Sequence, residues 1–363
     1  MTGGGTSGHV LPALAVAEAL VRTGHDPASI LYVGCTRGIE TRLLPDTDFP
    51  HVFYDVVGLQ RSLSRRNIGF LPKLVRATRR AIAAFRADRP RVVVSVGGYA
   101  SLPAVLAAFR LRIPVVVVSY DRTPGLASRL AARRAAACAV SFENSPLPRA
   151  ELTGAPIRQQ IFDVDRIGGR ADARRRLGLP SDRFVVAVMG GSQGSGVLNR
   201  AIAHYVADHR DDTGLAVRQV AGERFADAIE SLDRGDDGVI HQVIGYEGDM
   251  PAVYAAADLL VGRGGASTVH EVAVTGTPAI LVPWADSAED HQTDNVRWLT
   301  ERDAAVLLPE SRLDELDGEI ERLRHDPAAR ESLADAARRR GDVHRSGALA
   351  RLIERVAVSS VPS

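Results

Sequence analysis

Gly3-Gly4-Gly5-Thr6-Ser7-Gly8-His9 and, half a chain later, Gly190-Gly191-Ser192-Gln193-Gly194 are the stretches that decide the fold. Each opens a segment of helical periodicity. A glycine run at a strand-to-helix junction lets backbone N–H groups close around a phosphate, and the helix dipole adds attraction. One such turn in each half predicts two Rossmann-like domains that share a cleft, and an enzyme that joins two phosphate-bearing substrates.

The rest of the chain is read outward from these turns. Short β-branched runs alternate with longer helical patterns, as in βαβ units with parallel sheets. The first half offers strands at 30–33, 52–54, 92–96, 115–118 and 138–140. The second offers 184–189, 217–220, 239–244, 259–261, 279–282 and 305–308. Leu71, Leu74, Val75, Ile82 and Phe85 recur at helical spacing and are expected to face the first sheet. Residues 152–169 mix Gly, Pro and charge and read as a linker. The expected domains are 1–155, 156–340 and a terminal helix within 341–363. Only Met1 and Thr2 precede the first turn, where a buried strand normally stands. The expectation is a start that lies upstream, so that a chain extended there is more stable.

Composition bounds the function. The 363 residues are too many for one core and enough for two. A net charge of +1 gives no global field toward nucleic acid. Cys35 and Cys138 have no metal-ligand spacing and read as reduced core residues. No apolar run reaches the roughly 18 residues of a spanning helix. The stretch 58–86 lacks acids but carries Arg61, Arg65, Arg66, Lys73, Arg76, Arg79 and Arg80 among Leu59, Leu63, Ile68, Phe70 and Leu71. Such a pattern suits an anionic bilayer surface, and equally a solvated helix face.

Several motifs carry chemistry. Gly3, Gly5 and Gly8 fit G-x-G-x-x-G, a weak dinucleotide signal by itself. The second strand ends Val33-Gly34-Cys35-Thr36-Arg37 without the ribose-binding acid of a nicotinamide site. His9 follows the last glycine, where a side chain can enter a crevice; an ordinary helix-start histidine is the alternative. Gly97-Gly98-Tyr99-Ala100-Ser101 is a second candidate anion turn, or a tight turn before a packed helix. Arg263-Gly264-Gly265-Ala266-Ser267-Thr268-Val269-His270-Glu271 follows a strand and enters a helix. Glu271 there suits the two hydroxyls of a ribose, or complements the helix dipole. Gln292 and Asn295, three apart, share a helix face with amides suited to sugar hydroxyls. Asp163-Val164-Asp165 has the D-x-D form of some metal sites but lies in the linker, so no metal is expected.

Taken in order, GGGTSGHVLP at 3–12, GGYAS at 97–101, Thr153-Gly154-Ala155-Pro156-Ile157-Arg158, GGSQG at 190–194 with Leu198-Asn199, and the 263–271 segment resemble the MurG family of peptidoglycan glycosyltransferases over nearly the whole chain. The resemblance implies a GT-B fold with two Rossmann-like, parallel-sheet α/β domains facing a central cleft. It implies inverting transfer of N-acetylglucosamine from UDP-GlcNAc to the muramoyl C4 hydroxyl of undecaprenyl-diphosphate-linked lipid I, giving lipid II. It also implies no cofactor, a peripheral place on the cytoplasmic face of the membrane, and contact with anionic inner-leaflet lipids but not nucleic acid.

Carried over by position, Arg158, Ser192, Ser267 and Thr268 would approach the donor diphosphate. Glu271 would hold the ribose, Gln292 and Asn295 the sugar, and the segment from Ile244 through Tyr246 the uracil. Thr6, Ser7, Gly8, Gly98, Tyr99 and Ser119 fall on the acceptor side, with His9 as base and Asp121 as the alternative. The sequence departs from the family where His-Glu-x-Asn is usual, reading Val118-Ser119-Tyr120-Asp121. Ser7 stands where glycine is commoner, and His291 where glutamine is. The rival readings are a paralogue with another lipid or natural-product acceptor, an epimerase of the same fold, and a non-catalytic sugar-nucleotide sensor.

Overall fold

The computed structural model describes residues 1–56, 70–191, 193–285 and 290–359, with Ser7 described by its backbone alone. The described chain forms two compact units. Residues 1–159 with 343–363 make the first, and 160–342 the second. The first change of unit falls a few residues beyond 155 because the intervening chain stays packed. Ile157 is buried, and the Ala155 N–H donates to His344 Nδ1 at 2.9 Å.

In the first unit the strands are β1 (Tyr32–Cys35), β2 (His51–Tyr54), β3 (Val93–Ser95), β4 (Val115–Ser119), β5 (Ala137–Val140) and β6 (Ala150–Leu152). All their pairings are parallel. The place between β1 and β3 is held by Thr2, which bridges Val33 on one side and Ser95 on the other. Its N–H donates to the Val94 carbonyl at 2.8 Å, and its own carbonyl accepts from Val96 at 2.8 Å. The sheet therefore runs β2-β1-Thr2-β3-β4-β5-β6. Val115 to Ser119 are buried at every position, as expected of a parallel strand covered on both faces.

The helices that matter for this unit's site are α1 (Ser7–Arg22), α2 (Glu40–Leu43), α3 (Phe70–Ala87) and α4 (Leu102–Leu111). In α3 the expected apolar stripe holds at Phe85 and at Ile82, which packs against the core, and is corrected at Leu71 and Val75. Leu71 and Val75 are 65% and 42% exposed, whereas Ala77, Ala81 and Phe85 are buried. Beside Phe85 the inward stripe carries the small residues Ala77 and Ala81, where α4 opposes it with Ala104, Ala107 and Ala108, and alanines let two helices approach closely. The terminal helix Ala348–Val358 belongs to this unit. Its Glu354 accepts from Thr23 Oγ1 at 2.6 Å, and Arg355 pairs with Glu151 at 2.5 Å.

The second unit carries one six-stranded parallel sheet. Its strands are β7 (Phe184–Met189), β8 (Leu215–Val220), β9 (Ile240–Ile244), β10 (Leu259–Arg263), β11 (Ala279–Val282) and β12 (Val306–Leu307), in the order β12-β11-β10-β7-β8-β9. In both sheets the chain reverses its direction of travel once, between Thr2 and β3 and between β7 and β10. Ligands of open α/β sheets bind beyond the carboxyl ends of strands at such reversal points. Each of the four glycine turns picked out above follows one of the strands that flank a reversal.

Candidate functional site

The first unit brings two glycine turns together around His9. Gly98 adopts φ 77°, and a Cβ there would stand 2.6 Å from the Gly4 carbonyl oxygen and 3.4 Å from His9 Cγ. A Cβ on Gly97 would stand 3.4 Å from His9 Cδ2. The imidazole thus lies against the 97–98 turn, and its Nδ1 is 3.2 Å from Thr6 Oγ1. Burial pushes its pKa below the ordinary histidine value, while Asp121 and then Glu40 push it back up. The net effect is a neutral imidazole near pH 7, which can accept a proton.

The other residues expected on the acceptor side gather at the same sheet edge. Tyr99 lies over Gly5, and its hydroxyl is 3.7 Å from Cys35 Sγ. Thr6 is exposed as the N-cap of α1, and Gly8 lies in the first turn of that helix. Ser119 is buried at the end of β4. Asp121 is half-buried two residues later, and Tyr120 between them donates its hydroxyl to the Gly8 carbonyl. The Ser7 side chain lies outside what is described.

Glu40 was not foreseen. It is fully buried, its two oxygens accept the Gly5 N–H at 3.2 and 3.1 Å, and Oε1 also accepts the Cys35 N–H at 2.9 Å. One donor that a phosphate-binding turn would offer is therefore already taken by the protein's own carboxylate. The available signal was local: Gly34 and Gly38 leave side-chain room on the approach to Glu40.

In the second unit the turns after β7 and β10 are tied together from beneath. Ser195 caps the helix Gly196–Asp208 by accepting the Leu198 N–H at 3.2 Å, and Arg263 donates to the same oxygen at 2.6 Å. Arg263 is 8% exposed and also pairs with Glu310 at 2.5 Å. It is a buried keystone and not a ligand-facing cation. A buried polar chain supports the first turn. The Leu232 N–H donates to His241 Nδ1, His241 Nε2 to Gln219, Gln219 to Asn199, and Asn199 to the Ala221 carbonyl, at 3.4, 2.9, 3.0 and 3.0 Å. Gly194, at φ 68°, packs on that carbonyl so closely that a Cβ would collide with it.

The helix Ala266–Thr275 starts at the Gly264-Gly265 turn, which places the backbone of Ser267 and Thr268 in its first turn, with both side chains half-buried. Glu271 stands one turn further, half-buried, where Oε2 accepts from the Tyr254 hydroxyl at 2.7 Å. Tyr254 is fully buried and comes from a preceding helix, Met250–Ala256, so linear spacing gave no sign of this brace. Gln292 is half-buried and accepts the Trp284 N–H at 3.0 Å. Asn295 is fully buried and donates to the Gly264 carbonyl at 3.5 Å, so it lies beneath the turn and not beside Gln292 at its surface. At the end of β9, the Ile244 carbonyl accepts from Ala221 at 2.8 Å, Tyr246 is 58% exposed, and Glu247 is held by Arg218 at 2.7 Å.

Some residues fall elsewhere. Arg158 is half-buried and sits with the first unit. Ser192 and the basic and apolar positions from Leu59 to Ile68 lie outside the described residues. Asp165 of the D-x-D pair accepts the Ile167 and Gly168 N–H groups at 2.9 Å each, a turn-capping role. Among the described residues, His204, Asp208 and Asp317 bring ligand atoms within 4.8 Å of one another. His204 sits eight residues past the start of its helix, about 12 Å from the glycine turn. Among the described residues no helix is long and apolar enough to cross a membrane.

Comparison with known proteins covers both units. The glycosyltransferase family 28 N-terminal domain matches residues 1–140, and the family's C-terminal domain matches 185–346. A Clavibacter sepedonicus protein named UDP-N-acetylglucosamine–N-acetylmuramyl-(pentapeptide) pyrophosphoryl-undecaprenol N-acetylglucosamine transferase is 37% identical, over 100% of this chain and 97% of its own. A protein of the same name from Desulforudis audaxviator is 34% identical over 98% of each chain. The crystal structure of Acinetobacter baumannii MurG matches with a TM-score of 0.70 at 26% identity, over 98% of this chain and 97% of that one.

Proposed function

The chain belongs to the MurG family within glycosyltransferase family 28, and from that premise we propose that it moves GlcNAc from UDP-GlcNAc to the muramoyl C4 hydroxyl of lipid I, forming lipid II with inversion at the sugar. The observation that carries the reading is whole-length identity to transferases named for this reaction.

In the proposed reaction the acceptor oxygen attacks the anomeric carbon as UDP departs on the opposite face. With Nδ1–H donating to Thr6 Oγ1, the His9 Nε2 lone pair takes the hydroxyl proton. Asp121 favours the resulting imidazolium. The acceptor diphosphate would lie at the amino end of α1, around Thr6, Ser7 and Gly8, and against Gly98, with Tyr99 and Ser119 lining the approach. It would not enter the Gly5 turn, whose N–H is spent on Glu40.

On the donor side, the N–H groups of Ser267 and Thr268 at a helix start suit the departing diphosphate, and Arg158 and Ser192 are proposed to add to them. Glu271 would hold the ribose, the backbone from Ile244 to Tyr246 the uracil, and Gln292 the GlcNAc. Asn295 acts through the Gly264 turn that it supports. Charge on the leaving group would be met by these groups without a metal, so activity should persist in chelator.

The exposed face of α3 supports peripheral membrane attachment. Leu71, Pro72, Val75 and Ala83 with Arg76, Arg79 and Arg80 line an open depression of about 690 Å³. Apolar residues rimmed by cations suit an anionic lipid surface. Lys73, expected to contribute, is instead paired with Asp55 at 2.9 Å.

Release of UDP measured with lipid I, with other polyprenyl-linked or small-molecule acceptors, and with no acceptor tests the reaction. Release that depends on lipid I is expected. Release with another acceptor only would establish the paralogue, and turnover of UDP-GlcNAc alone would defeat the transferase reading in favour of an epimerase.

A further inference from the structure

We propose that Glu40 is a positioning residue for His9: its buried carboxylate fixes the Gly3–Gly5 turn on which the histidine packs and lies close enough to act on the imidazole's charge. The proposal rests on the reading of His9 as the base.

The cavity around Glu40 is made for a carboxylate. A Cβ on Gly4 or on Gly38 would collide with its oxygens, and one on Gly34 would stand 2.9 Å from its Cγ. Three glycines drawn from three segments therefore leave room for one acid. Within that space the acid accepts two N–H groups, that of Gly5 in the first glycine turn and that of Cys35 at the end of β1. A neutral glutamine would fill the same space without the heavy desolvation cost of a buried charge. Bracing alone does not require the charge.

Among the described residues Glu40 acts on His9 of α1, Tyr32 and Cys35 of β1, and Tyr99 of the turn before α4. For Tyr32, Cys35 and Tyr99 a nearby anion only reinforces the neutral form. For His9 it favours the cation, in the same sense as Asp121 and against the effect of burial. The mechanical link is as short. Glu40 holds Gly5, the Gly4 carbonyl meets Gly98, and Gly98 carries the imidazole on its open side. An imidazole so backed is a stronger base than burial alone would leave it.

The decisive variant is Glu40→Gln, compared with the parent in two measurements. The first follows the His9 Cε1–H resonance by NMR through pH, assigned by its loss in His9→Gln. Removing the anion should move the His9 midpoint to lower pH. The second follows kcat through pH with saturating substrates. Turnover should fall about 10-fold, the lower range for losing an outer partner of a reacting group. The acidic limb should move to lower pH, with KM for UDP-GlcNAc unchanged. Native-like dispersion of the first unit's resonances in the same NMR spectra confirms that the variant is folded. Should Glu40→Gln fail to fold, Glu40→Ala supplemented with formate takes its place, and formate should restore the His9 midpoint toward that of the parent. An unchanged His9 midpoint overturns the proposal and leaves Glu40 a brace. Normal turnover in His9→Ala would defeat the base assignment instead, and the NMR result would still decide whether Glu40 sets the histidine's charge.

Discussion

Replacing Glu271 by Ala tests the donor site most directly. The carboxylate sits one turn into the helix Ala266–Thr275, beyond the carboxyl end of β10, and one oxygen is held by Tyr254 at 2.7 Å. A ribose beside it would donate two hydroxyls to an ionised acceptor. Hydrogen bonds to charged groups are worth about 1.5–3 kcal/mol each in place of water. Allowing for the half-exposed setting, a net loss of about 2 kcal/mol is expected, or roughly 30-fold in the Kd for UDP. Titration calorimetry with UDP measures it, and 2′,3′-dideoxy-UDP supplies the control. The parent should lose affinity for the dideoxy ligand, and Glu271→Ala should not distinguish the two ligands. Glu271→Gln, which keeps one accepting oxygen, should fall between. If Glu271→Ala binds UDP as the parent does, or still prefers the intact ribose by the parent's factor, the ribose assignment is wrong.

His9→Ala should lower turnover by about 100-fold or more with donor affinity unchanged, and normal turnover would move the base to Asp121. Arg263→Met strands the largely buried Glu310, so urea unfolding should show a loss of about 3–5 kcal/mol; a change well below this would mean that Glu310 finds another partner or water. Replacing Arg76, Arg79 and Arg80 by Ser should weaken binding to vesicles rich in anionic lipid by roughly 100-fold at low salt, at about 1 kcal/mol per cation, and retained binding would remove α3 from the membrane surface. His241 is buried and its pKa is pushed down to about 4, so it is neutral when folded and charges more readily when unfolded. Its share of stability is complete above about pH 6.5, the unfolded value, and declines as pH falls toward 4. His241→Gln should flatten that decline in acid denaturation curves.

The two sheets were legible because parallel strands covered on both faces must be continuously apolar, as Val115–Val118 and Val185–Val188 are. Strand β6 was missed for the opposite reason. Ala150, Glu151 and Leu152 are exposed at an edge and leave no apolar run. Thr2 was read as too short for a strand because a single bridging residue has no periodicity. In α3, Leu71 and Val75 obey helical spacing as well as the buried stripe does, and only the opposing alanines of α4 decide which face turns inward. The glycine turns announced the site, but the groups that hold them did not. Tyr254 and the chain from His241 to Asn199 act across gaps of seventeen residues or more and leave no local pattern, and the glycines at 34 and 38 were the only local sign of Glu40. Arg263 and Asn295 are buried at the Gly264 turn, and a cation or amide beside a glycine pair carries no sequence sign that it also supports the turn.

The closing segment, residues 343–363, returns to the unit in which the chain begins. No single cut therefore releases the amino-terminal half intact. A fragment stopped at 159 would be missing the helix that supplies Leu349, Leu352 and Ile353 to its core, together with the Glu354 and Arg355 pairings. The carboxyl-terminal half, by contrast, is one uninterrupted stretch from 160 to 342 and is the piece suited to separate expression. Dissection of the two halves calls for a rearranged chain in which 343–363 is joined ahead of Met1, and its refolding would report on the first half alone.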